Sequence, residues 1–141
     1  MTKPELVFIP GAWHTPSYLD ALMSRLRSVG YTTHTSQLPS VGNPNPPQDL
    51  SEDIAIVRSL VERTIGEGKD VVVFPHSWAG IIASSALVGL GKKEREAEGK
   101  QGGIVRCGYM ASFILPQGVS LIDAVGGKIP SWWEVKVSIF D

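Results

Sequence analysis

The sequence predicts an α/β fold, a parallel sheet sandwiched by helices. Three observations carry that prediction. Leu6-Val7-Phe8-Ile9 and Val71-Val72-Val73-Phe74 are short unbroken apolar runs, the pattern of strands covered on both faces. Each run is followed by a turn and then by apolar residues at helical spacing. Strand and helix alternate along the chain, which parallel strands joined by right-handed crossovers satisfy.

The first run stops at Pro10-Gly11. Thr15 and Pro16 then predict an N-cap and a first-turn proline. Leu19, Leu22, Met23, Leu26 and Val29 make the stripe of this helix, and Gly30 ends it. Tyr31 to Leu38 mixes β-branched, aromatic and polar residues and predicts a weaker strand nearer the sheet edge. Pro39 to Pro47 holds four prolines and a glycine, so it is a loop. A second helix is expected over Ser51 to Thr64, with Leu50, Ile54, Val57, Val61 and Ile65 as its stripe. Glu52 and Asp53 suit its positive N-terminal end. Ala79 to Leu90 is apolar nearly all round, which predicts a helix buried between layers. Lys92 to Gly103 reads as a charged connector, a solvated loop or a helix extension. Ile104 to Ala111 is the fourth strand candidate, and a short helix is expected near Ser120 to Val125.

Composition narrows the function classes. At 141 residues the expectation is one domain over 1–141. Thirteen basic against fourteen acidic residues argue against a nucleic-acid partner, because neutralising phosphates needs a basic face. Cys107, the single cysteine, rules out an internal disulfide and a cysteine-based zinc site. Its place in an apolar strand reads as a buried small hydrophobe. No apolar run approaches the ~20 residues of a membrane span, and Met1 to Glu5 lacks a secretory apolar stretch. The expectation is a cytoplasmic protein with no membrane partner. The first turn has no G-x-G-x-x-G, and Gly127-Lys128 lacks the rest of a P-loop. No cofactor and no metal are expected.

Ligand sites in parallel sheets lie beyond the carboxyl ends of the strands. The turn after the third strand reads Phe74-Pro75-His76-Ser77-Trp78-Ala79-Gly80. A serine between a buried strand and a small-residue helix has the spacing of the nucleophile elbow, with Pro75 and Ala79 where two glycines are usual. Ser77 is the expected nucleophile, lifted toward solvent on a strained turn. An acyl-transfer site also needs two backbone N–H donors for the developing oxyanion. In this layout Trp78, after the nucleophile, supplies one, and the loop after the first strand supplies the other from Ala12 or Trp13. Trp13 and His14 are candidate residues of the pocket mouth.

LVFIPGAWHTPSYLDAL, QLPSVGNPNP, VVVFPHSWAG and YMASFILPQG together resemble the α/β-hydrolase superfamily. Within it the chain is similar to the small esterases and hydroxynitrile-lyase-like members. The resemblance runs from Leu6 to about Trp133. It implies the N-terminal part of an α/β-hydrolase fold, Ser77 as nucleophile, Ala12 and Trp78 as oxyanion donors, and residues 113–133 as the start of a cap.

A serine nucleophile needs a histidine base and an orienting acid, in the order serine, acid, histidine. No histidine follows His76. His76, next to Ser77 at a sharp turn, should point away from the hydroxyl; His14, on the oxyanion loop, is better placed; His34 reads as structural. Asp123 stands near an acid position but has no histidine to orient. No catalytic histidine or acid is therefore identified. Val135 to Asp141 reads poorly as a cap, so the expectation is a chain truncated after the cap begins. The fourth strand would then have an uncovered edge and a route to self-association. Two function classes follow: a serine esterase acting on a small ester with impaired activity, or a non-catalytic fragment or pseudoenzyme that keeps a ligand-binding fold.

Overall fold

A computed structural model describes residues 3–134. Its strands are β1 (Glu5–Ile9), β2 (Thr33–Thr35), β3 (Asp70–Pro75) and β4 (Gly103–Cys107). Its helices are α1 (Asp20–Ser28), α2 (Ser51–Ile65), α3 (Ala79–Ala86), α4 (Lys92–Ala97) and α5 (Leu121–Ala124). The strands form one all-parallel sheet in the order β2-β1-β3-β4. The two unbroken apolar runs are the central strands, and the polar β2 is an edge, as its composition predicts.

Strand alternation divides the core into two layers. Val7 and Ile9 of β1, with Val71 and Val73 of β3, pack against Val57, Val61 and Ile65 of α2 and Ile82 of α3. Leu6 and Phe8 point the other way, onto Leu19, just before α1, and Met23 within it. The second layer is thinner. Val72 and Phe74 are only partly buried there, so β3 is fully covered on one face and incompletely on the other.

Several local expectations change. Thr15 precedes a 3-10 turn at Pro16–Leu19 and makes no cap bond to the backbone; its hydroxyl pairs with that of Ser17 at 2.7 Å. Helix α3 ends at Ala86, with Ser84, Ser85 and Val88 exposed, because no layer covers its outer side. The charged connector forms α4, whose Lys92 reaches Asp70 at 2.8 Å. Cys107 is exposed rather than buried, because β4 is an edge strand covered only at its start. Val135 to Asp141 lies outside the described residues. Among the described residues no helix is long and apolar enough to cross a membrane.

Asp53 serves more than the positive end of α2. It is fully buried, and its Oδ1 accepts the Ser40 N–H at 3.0 Å, tying the proline-rich loop to the helix. Glu5 is a second bracket, pairing with Lys69 at 2.7 Å and with His34. Burial acts to raise the Glu5 carboxyl, but the hydrogen bonds from Lys69 and His34 outweigh it and hold the group below the ordinary glutamate value. A depressed native pKa contributes stability above the unfolded pKa, lost as pH falls through the native one. Glu5→Gln is accordingly expected to flatten the loss of stability between pH 5 and about pH 3, read from urea midpoints. An unchanged pH profile would remove Glu5 from the acid response.

Candidate active site

The carboxyl ends of β1, β2 and β3 open onto one cavity of about 650 Å³. Each strand contributes through the loop that follows it: Ala12 and Trp13 after β1, Ser40 and Val41 after β2, Ser77 and Trp78 after β3. Phe113 and Leu121, from the segment after β4, complete the walls with Trp132 and Trp133.

Ser77 has φ 53°, in the left-handed region that costs a non-glycine residue about 1–3 kcal/mol. The surroundings hold it there. Its N–H donates to Met110 O at 3.2 Å, while its carbonyl accepts from Phe113 N at 3.1 Å and from Ser112 Oγ at 2.7 Å. The strained turn expected from the elbow spacing is thus clamped from the segment after β4. Helix α3 starts two residues later, and its positive end faces this turn.

The loop after β1 closes with His14 N–H on Gly11 O at 3.2 Å and places Trp13 at φ 62°. A positive φ at the third residue is the geometry of a type II turn. Gly11 is needed for space: a Cβ there would stand 3.0 Å from Ser77 Cβ and 3.0 Å from His76 Nδ1. The missing side chain lets the two loops touch. His14 Nδ1–H donates to Ala12 O at 2.7 Å, which turns that carbonyl toward the imidazole. Among the described residues, the N–H groups of Ala12, Trp13 and Trp78 take no acceptor. Unpaired N–H groups on adjoining loops are what an oxyanion requires.

Among the described residues no histidine bonds to the Ser77 hydroxyl. His14 is not part of the cavity wall; it stacks edge-on against Tyr18 at 4.2 Å and His76 at 5.4 Å. Burial and the neighbouring His14 hold His76 below the ordinary histidine value. His34 is spent on Glu5. Ser77 Oγ has no hydrogen-bond partner among the described residues. Asp123 closes a capping box with Ser120, which bonds it through both its N–H, at 3.0 Å, and its hydroxyl, at 2.6 Å. Those bonds lower its pKa and identify it as a helix cap. Cys107 is exposed on β4, and the desolvation it retains raises its thiol, opposite to what a nucleophile needs.

Phe113 and Leu121 fall in the segment 113–133 expected over the site, whereas the wall residues Ser40 and Val41 and the Ser112 clamp were not among the expected site residues. A signal existed for Ser40 and Val41, since every loop at the carboxyl edge of a parallel sheet is a candidate wall.

A family model described as the alpha/beta hydrolase family matches residues 6–136. The chain is similar to alpha/beta hydrolase nvfD of Aspergillus novofumigatus, 32% identical over 130 residues covering 92% of this chain and 51% of that protein. It is also 31% identical, over 130 residues, to the probable hydrolase R7 of a Phoma species, covering 91% of this chain and 50% of the relative. The chain spans about half the length of both curated relatives. Among solved structures it resembles an extracellular alpha/beta-hydrolase from a Paenibacillus species, described as sharing structural and functional homology with tobacco salicylic acid binding protein 2. That likeness has a TM-score of 0.66 at 21% identity, over 86% of this chain and 46% of the other. An acetyl xylan esterase superposes with a TM-score of 0.53 at 19% identity, over 84% of this chain and 68% of the other. These two likenesses concern the fold.

Proposed function

The chain belongs to the alpha/beta hydrolase family, and from that premise we propose that it carries the nucleophile and oxyanion half of a serine esterase site. Ser77 is the nucleophile in this reading, and the Ala12 and Trp78 N–H groups receive the oxyanion. The observation that carries it is the clamped left-handed Ser77 facing a cavity shared with the loop of Ala12. Ser77 Oγ attacks the ester carbonyl, the carbonyl oxygen takes the negative charge between the two N–H groups, and the alcohol leaves as the acyl-enzyme forms. Residues 113–133 act in this reading as the start of a cap, and Phe113, Leu121 and Trp132 line the same cavity as Ser77.

Turnover by this chain is expected to be low. The hydroxyl must lose a proton as it attacks, and no histidine bonds to it among the described residues. Removing the base from such a triad leaves only the catalysis supplied by the oxyanion hole and binding. The same unpaired hydroxyl favours a second reading, a ligand-binding domain without turnover. Slow covalent labelling by a fluorophosphonate that is lost in Ser77→Ala supports the first reading; absence of any labelling at Ser77 supports the second.

A further inference from the structure

We propose that the cavity beside Ser77 selects an uncharged substrate bearing a flat aromatic or polycyclic ring. This names the substrate class of the proposed esterase site and rests on that reading for the role of Ser77. Among the described residues, no wall side chain is ionisable; the polar side-chain groups are the hydroxyls of Thr15, Ser40 and Ser77 and the indole N–H groups of the tryptophans. A carboxylate or ammonium entering this space loses its hydration and gains no partner of opposite charge. The walls are instead aromatic. Trp13 meets Trp133 edge-on with ring centroids 6.4 Å apart, and Trp132 meets Trp133 at 5.4 Å. Trp13 is 78% exposed and Trp132 is 75% exposed, so large ring faces stand uncovered at the mouth. A flat ring covers such faces and gains offset or edge-to-face contacts that a flexible chain does not. The volume, about 650 Å³, lies within the range that holds small organic ligands, about 300–1,000 Å³.

The full chain carrying Ser77→Ala, which cannot consume the ligand, tests this by equilibrium dialysis at pH 7. Three probes are compared: methyl 2-naphthoate, 2-naphthoate and methyl octanoate. The naphthoate ester is expected to bind at least about tenfold more tightly than either of the others. Adding Trp13→Ala is expected to weaken the ester about tenfold with the circular dichroism spectrum unchanged, since that side chain is largely exposed. Equal binding of the carboxylate, equal binding of the octanoate, or no ester binding up to its solubility limit overturns the proposal. Ring selectivity without any labelling of Ser77 in the parent chain would keep this inference and remove the esterase reading. Labelling at Ser77 without ring selectivity would do the reverse.

Discussion

Gly80→Ala is expected to destabilise the protein by about 3 kcal/mol or more, although alanine is the better helix former by about 1 kcal/mol. Gly80 is the second residue of α3, and it is buried. A Cβ placed on it would stand 2.1 Å from Phe113 O and 2.3 Å from Ser112 Oγ. Both distances are far inside contact, and one neighbour is backbone. Relief requires the 112–113 segment to move, and that segment holds the Ser77 carbonyl through Phe113 N–H and Ser112 Oγ. The substitution therefore attacks the fold and the strained serine together. For a chain of this length about 3 kcal/mol corresponds to a fall in Tm of about 10 °C. Ser85→Ala, on the exposed side of the same helix, should change stability by no more than about 0.5 kcal/mol. If the two variants melted together, the close approach of α3 to the chain after β4 would not be what holds the Ser77 turn.

Ser77→Cys is expected to be acylated faster than the parent, reversing the outcome for a serine enzyme with a working base. Serine attacks only with help in losing its proton. A thiol is already a few per cent thiolate near pH 7, and it is strongly nucleophilic without a base. The positive end of α3 further favours the thiolate. The comparison is made with Cys107→Ser as background, because Cys107 is exposed and would react on its own. With p-nitrophenyl acetate at pH 8.5, the cysteine variant should show a burst at least about tenfold faster than Ser77. A faster burst from serine would mean that a base reaches Ser77 Oγ.

The parts of this molecule legible from sequence are those set by local pattern and parallel topology. Val71 to Phe74 and Leu6 to Ile9 had to be central strands, since only burial tolerates such runs. The strained turn at Ser77 was legible too, because Ser77 sits between one of those strands and a helix of small residues. Contacts between segments distant in sequence were not legible. Nothing near Gly80 announces that Phe113 and Ser112 pack onto it, or that Ser112 fastens the Ser77 carbonyl. Cys107 looked buried by its apolar neighbours, yet an edge strand has one side that pattern alone does not reveal. His14 was expected at the mouth because it lies on the loop after β1; its imidazole bonds to Ala12 O instead and is not among the cavity-lining residues.

We propose that Ser77 and the Ala12 and Trp78 N–H groups form a nucleophile and oxyanion hole with no base bonded to the hydroxyl among the described residues. The rate of fluorophosphonate labelling, followed by intact mass beside a complete triad hydrolase, tests it most directly. One adduct is expected, mapped to Ser77 and absent in Ser77→Ala, forming about 10⁴-fold more slowly than on the control enzyme. Labelling as fast as the control and lost in Ser77→Ala, or labelling that survives Ser77→Ala, would contradict it.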